Sequence, residues 1–133
     1  MYAVEVSDQI MIAHSFRGEV FGPAQKVHGA TFVICVAFLA QSLDPNGIVV
    51  DIACAHAALK DALAPLNYRN LDELPQLAGI NTTTEFLSMH IFDRVAEAAR
   101  SGKLGRDGRE LAAIRVTVAE SPLARAWYEA PLW

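Results

Sequence analysis

Three histidines from two neighbouring strands, with a fourth coordination position left open, make a catalytic zinc site. This chain comes within one residue of that arrangement. Residues i and i+2 of a strand share a face, so His28 and position 30 would aim two ligands into one site. His14, at the end of the adjacent strand, would add a third. Position 30 is Ala30. Two imidazoles without a third protein ligand do not hold zinc in a catalytic geometry, so no cofactor is expected here. His14 and His28 are then by default satisfied pocket histidines, with polar contact to a ligand as the functional alternative. The other candidates have structural readings. His56 and His90 fall inside helical patterns and are expected to pack. Cys35 and Cys54 have no CxxC spacing and no basic neighbour, and are expected to be buried, reduced thiols. Thr82-x-x-Glu85 has the spacing of a capping box, in which Glu85 reaches back to a backbone N–H.

The elements that must position these residues follow from patterning. Tyr2 to His14 alternates at its start and reads as a strand. Phe16 to Val27, with Gly18, Gly22 and Pro23, is a loop. Thr31 to Leu39 is β-branched and aromatic, which makes it the clearest strand. Asp44-Pro45-Asn46-Gly47 is a turn, after which Ile48-Val49-Val50 should return as the second arm of a hairpin. Asp51 is placed to cap a helix carrying Ile52, Ala55, Leu59 and Leu63, which Pro65 stops. A second helix starts near Thr83, with Leu87, Ile91, Val95 and Ala98 as its stripe, and ends at Gly102. Lys103 to Arg109 is an exposed loop. Leu111 to Val118 is a strand, and Ala124 to Tyr128 a short last one. The order predicts an α+β fold, ββααββ, with a four-stranded antiparallel sheet and two helices on one face.

Composition narrows the function. The 133 residues suit one domain (1–133), with no internal repeat or linker. Charged residues are only 20% and apolar ones 53%, a charge-poor surface that points to contacts between copies. A net charge of −4 offers no attraction to nucleic acid or anionic lipid. No apolar run reaches the ~18 residues of a membrane span. The alternating, acid-containing start Met-Tyr-Ala-Val-Glu-Val is neither a signal nor a transit peptide, so a cytoplasmic location is expected.

Taken in order, six segments resemble the 6-pyruvoyltetrahydropterin synthase family, which includes the 6-carboxytetrahydropterin synthases. They are Ile12-Ala13-His14, Val27-His28-Gly29-Ala30, Gly47 to Asp51, Leu66 to Asp72, Asn81 to Glu85, and Val118-Ala119-Glu120-Ser121. The resemblance covers about residues 2 to 129. It implies the tunnelling fold (T-fold), in which three subunits join their sheets into a barrel and two trimers stack into a homohexamer, with the site between subunits. It also implies zinc-dependent lyase chemistry on a pterin. The family's cysteine position is Ala24 here, and a glutamate used by some variants is Gln25. The family's Asp-His pair falls on Asn67 and Tyr68. Asn cannot charge-stabilise an imidazole, and Tyr is a poor base at neutral pH.

What remains is the family's ring-recognition set. The resemblance assigns Glu120 to the ring N–H and 2-amino group of the pterin. Thr83 and Glu85 match the residues of the Pro-Thr-x-Glu motif beside it. The expected protein therefore binds a pterin- or purine-like heterocycle in an inter-subunit pocket without the family's synthase activity. Two alternatives stay open: a non-catalytic ligand-binding or assembly protein descended from the enzyme, and a residual zinc-dependent pterin lyase with a substitute ligand.

Overall fold

A computed structural model describes all residues, Met1–Trp133. Strand β1 (Tyr2–His14) pairs antiparallel with β2 (His28–Ala40) along the full length of both. The connection between them holds a 3-10 segment, Glu19–Gln25. Helix α1 (Ile52–Leu63) and the two-residue strand β3 (Arg69–Asn70) follow, then α2 (Thr84–Arg100), β4 (Ala113–Ser121) and β5 (Ala124–Ala130). The sheet order is β3-β1-β2-β4-β5. All pairs are antiparallel except β1 with β3, which run parallel through Ile12–Arg69 and Ala13–Asn70. The sheet is thus five-stranded and mixed, not four-stranded and antiparallel.

Period-two alternation decides which face is covered. Val6, Ile10 and Ile12 of β1, Phe32, Ile34, Val36 and Phe38 of β2, and Ile114, Val116 and Val118 of β4 are buried on one face. Both helices lie on that face, α1 over β1 and α2 over β4 and β5. Ala55, Leu59 and Leu63 of α1 and Leu87, Ile91 and Val95 of α2 complete a cluster of 30 buried residues. Alternate residues such as Met11, Val33 and Trp127 are left exposed on the opposite face. Cys35 shares that face and is half-buried; so is Cys54 in the first turn of α1, and both thiols are free. His56 is exposed on α1 and does not pack as expected. His90 is half-buried, stacked on Phe86 one turn earlier, with ring centroids 5.7 Å apart.

Asp51 caps α1 by accepting from the Cys54 N–H at 3.1 Å. The Asp44 turn forms as its residues predict: Asp44 Oδ1 accepts from Asn46 N–H at 2.8 Å, and Gly47 takes φ 79°. Ile48-Val49-Val50 does not return as a strand, because its backbone is engaged elsewhere. The Arg106 guanidinium donates from Nη1 to the Val49 carbonyl (3.1 Å) and from Nη2 to the Ser42 carbonyl (3.0 Å), and Asp51 N–H donates to the Leu104 carbonyl (3.2 Å). Arg106 Nε lies 3.5 Å from Glu110 Oε2, an ion pair without hydrogen-bond alignment.

Candidate functional site

The β1–β2 ladder ends with His14 opposite His28. Even-numbered residues of β1 and β2 face the helices, so both imidazoles project on the helix side, at the end of the sheet where α2 begins. Their rings meet edge to face with centroids 4.6 Å apart. His14 is 2% exposed, and its Nδ1 shares a hydrogen bond of 2.9 Å with the hydroxyl of Thr82, itself 1% exposed. Burial, reinforced by repulsion from His28, lowers the His14 pKa, with Asp72 and Thr82 acting weakly the other way. His28 Nδ1 lies 2.8 Å from the Lys26 carbonyl. A carbonyl only accepts, so Nδ1 carries the proton, and in the neutral ring Nε2 carries the lone pair.

Glu120 enters from β4. Its neighbours Val116 and Val118 are buried under the helices, whereas Glu120 is exposed and sits at a register irregularity between Ala119 and Ser121, past the end of the core. There a cleft of about 1010 Å³ opens. Its lining includes His14, His28, Thr83, Glu85 and Glu120, all five of the ligand-contact candidates. The volume is at the upper end of the range for small-molecule sites, roughly 300–1,000 Å³. Phe32 and Ala30 from β2 and Phe16, Phe21 and Ala24 from the β1–β2 connection supply apolar walls; Arg125 from β5 is also on the cleft.

The start of α2 differs from the expected capping box. Thr83 is the N-cap, accepting from Phe86 N–H at 3.1 Å. Thr82 is turned inward to His14, so no reciprocal box forms. Glu85 instead accepts from the Thr84 hydroxyl at 2.7 Å. That bond, helped by its own backbone N–H, holds the Glu85 pKa below the usual carboxylate value. Glu85 is therefore an ionised carboxylate on the cleft.

The positions that the sequence resemblance matches to proton-transfer groups do not all reach the cleft. Ala24 lines the cleft with a methyl group. Gln25 donates from Nε2 to the Gly22 carbonyl at 3.1 Å, within its own loop. Asn67 Oδ1 accepts from Met11 N–H at 3.1 Å, and Tyr68 N–H donates to the Met11 carbonyl at 2.7 Å. These two residues pin the chain to the edge of β1. Tyr68, 78% exposed and at φ 60°, borders a separate, smaller cleft of about 390 Å³ with Arg69 and Asn70.

The zinc that the sequence resemblance implies needs three protein donors. His14 and His28 offer two; the third position is the Ala30 methyl. No group of three or more His, Cys, Asp or Glu side chains is close enough to hold a metal ion. The donor set does not fit a three-ligand zinc site.

With this geometry in hand, the family model described as 6-pyruvoyl tetrahydropterin synthase matches residues 3–131. The chain belongs to that family. It is similar to the 6-pyruvoyl tetrahydrobiopterin synthase of Dictyostelium discoideum, 29% identical over 91 residues, which are 67% of this chain and 66% of that protein. A shorter stretch of 53 residues, 40% of this chain, is 36% identical to porphobilinogen deaminase of Campylobacter fetus and spans only 18% of that protein. The chain thus spans two-thirds or less of the curated relatives it matches. In fold it is similar to the structure of Caenorhabditis elegans 6-pyruvoyl tetrahydropterin synthase. That superposition has a TM-score of 0.79 at 23% identity and covers 97% of this chain and 95% of the other. The fold is therefore the T-fold of that family, with helices α1 and α2 on one face.

Sequence reasoning missed four cleft or support residues. Thr82 was hidden among three consecutive threonines. Phe16 and Phe21 lay in a segment read only as a loop, and Arg125 carried no motif.

Proposed function

We propose that the cleft binds a pterin- or purine-like heterocycle, with Glu120 accepting from its ring N–H and exocyclic amine, and that the chain lacks the synthase reaction of its family. The observation that carries this reading is the meeting of Glu120 with Thr83, Glu85, His14 and His28 on one cleft. A carboxylate paired with two adjacent N–H donors gives a short, bidentate, charge-assisted contact. Thr83 and Glu85 add polar contacts along the ring, and the His pair stands beyond it. The loss of synthase chemistry rests on what fills the matched positions: a methyl at Ala24, an amide at Asn67 and an outward phenol at Tyr68, with zinc lacking its third donor.

The site is proposed to be completed between subunits of a homohexamer, a dimer of trimers. Two open sheet edges support this. The outer edge of β1 is unpaired from Tyr2 to Ile10, since β3 covers only Ile12 and Ala13, and the outer edge of β5 is free. Unlike edges that meet head to tail generate a closed ring and remove both exposures. No helix is long and apolar enough to cross a membrane, and the two free cysteines suit a reducing, cytoplasmic setting. No nucleic-acid or membrane partner belongs to this reading.

Isothermal titration with a reduced pterin such as sepiapterin or biopterin tests the binding. The expected result is saturable heat that disappears in Glu120→Ala; no heat with any pterin overturns the reading. Incubation with dihydroneopterin triphosphate tests the chemistry. Recovery of unchanged substrate is expected, and a new pterin product would show that the synthase reaction survives.

A further inference from the structure

The cleft has a second half that the Glu120 anchor leaves unused. Glu120 is on β4 and His14 on β1, two strands away, a span of about 10 Å across the sheet. Past His14 the chain enters the β1–β2 connection and builds an apolar wall. The rings of Phe16 and Phe21 are 4.7 Å apart, and Phe16 lies 4.6 Å from the His14 ring and 5.7 Å from that of His28. Ala24 continues the wall. Phe16 N–H donates to the Ala24 carbonyl at 3.1 Å, which closes the segment on itself.

Charge around the cleft points the same way. Its fixed charges are the carboxylates of Glu85 and Glu120 and a single guanidinium, the exposed Arg125. Burial and the neighbouring His28 disfavour a positive charge on His14. The N-terminus of α2 would favour an anion, but the Glu85 carboxylate already occupies its first turn, held by the Thr84 hydroxyl. From this chain a polyphosphate meets two carboxylates against one exposed guanidinium, and no clamp of cations.

Resting on the reading that Glu120 anchors a heterocycle, we propose that Phe16 and Phe21 form an apolar subsite that selects a neutral, apolar substituent on that heterocycle over a phosphorylated one. The ring sits toward β4 and its substituent lies along the phenyl wall beyond the His pair. Each methylene buried there raises affinity about fourfold.

Titration calorimetry with four probes tests this: pterin, 6-methylpterin, 6-propylpterin and neopterin triphosphate. Affinity is expected to climb about fourfold per carbon, with the triphosphate at least ~10-fold weaker than the propyl compound. In Phe21→Ser the gain per carbon should fall below about twofold. That gain is a ratio within one protein, so a reduced folded fraction does not mimic it. A flat alkyl series in the wild-type chain, a triphosphate that binds as tightly as the propyl compound, or an unchanged slope in Phe21→Ser overturns the subsite and leaves the anchor standing. No binding of unsubstituted pterin, or binding unaltered by Glu120→Ala, overturns the anchor and the subsite together.

Discussion

Ala30 lies two residues after His28 on the same face of β2, opposite Ile12, while His28 itself faces His14 across the ladder. One methyl group thus stands where a third imidazole would converge with the other two. The pair it leaves behind is well supported, by Thr82 behind His14 and by the Lys26 carbonyl behind His28. Such backing holds imidazoles in place whether they meet a metal or an organic ligand.

Ala30→His should therefore restore metal binding. Elemental analysis of protein purified without chelator is expected to give close to one zinc per chain for the variant, against a small fraction for the wild type. One zinc per wild-type chain would contradict the two-donor account.

Removing the anchor has a graded signature. Glu120→Ala would delete the proposed bidentate ionic contact and should weaken a reduced pterin by about 3 kcal/mol, a hundredfold or more. Glu120→Gln keeps one acceptor oxygen and should lose about 1.5 kcal/mol. Equal losses in the two variants, measured by calorimetry, would argue against a charge-assisted contact.

Tyr68 is the only non-glycine residue at positive φ. Its exposed ring makes no packing contribution that offsets this conformation, and Tyr68→Gly removes the side chain responsible for the clash. The variant should gain up to about 1 kcal/mol, raising the melting temperature by about 4 °C. Tyr68→Ala, which keeps a Cβ, should not. A melting temperature lowered by the glycine would mean that the ring supports the fold.

Stability should fall in mild acid. Burial, and after it the Arg94 guanidinium, lowers the His90 pKa, and burial with His28 lowers that of His14. The unfolded chain then binds more protons than the folded one at pH values below about 6.5. The stability held above that pH is lost as pH drops through the folded pKa values, and at lower pH protonation of Glu85 adds to the loss. Urea midpoints from pH 8 to 5 should decline, and His90→Gln should flatten part of the decline. A midpoint that rises toward pH 5 would reverse this assignment.

The parts of the fold legible in the residues were those governed by local rules. The alternation of Tyr2 to His14, the cap at Asp51 and the stripe Leu87-Ile91-Val95 each depend on neighbours within a few positions, and each element forms where it was expected. The Ile48-Val49-Val50 segment has strand-like residues, but its outcome was decided by Arg106, more than fifty positions away. β3 is two residues long, too short to show any period, yet it turns the sheet mixed. At the site, the gathering of His14, His28, Thr83, Glu85 and Glu120 on one cleft was legible because their positions fall in register with a known pattern. The wall of Phe16 and Phe21 was not, since an aromatic in a loop carries no sign of what it will face. Which of three threonines caps α2 was equally hidden, because each has the same hydroxyl and only the packing of His14 separates them.

Arg106 ties Ser42, Val49 and Glu110 together beyond the Ala40 end of β2, while the substituted positions Ala24, Ala30, Asn67 and Tyr68 gather around the His28 end or the neighbouring rim of β1. The crown is held differently from the foot: the ties at Ala24 and Tyr68 run through the backbone, from Phe16 N–H to the Ala24 carbonyl and from Tyr68 N–H to the Met11 carbonyl. Those two side chains can therefore be exchanged without breaking the bonds that hold their segments, which makes this rim the place to graft new chemistry onto the frame.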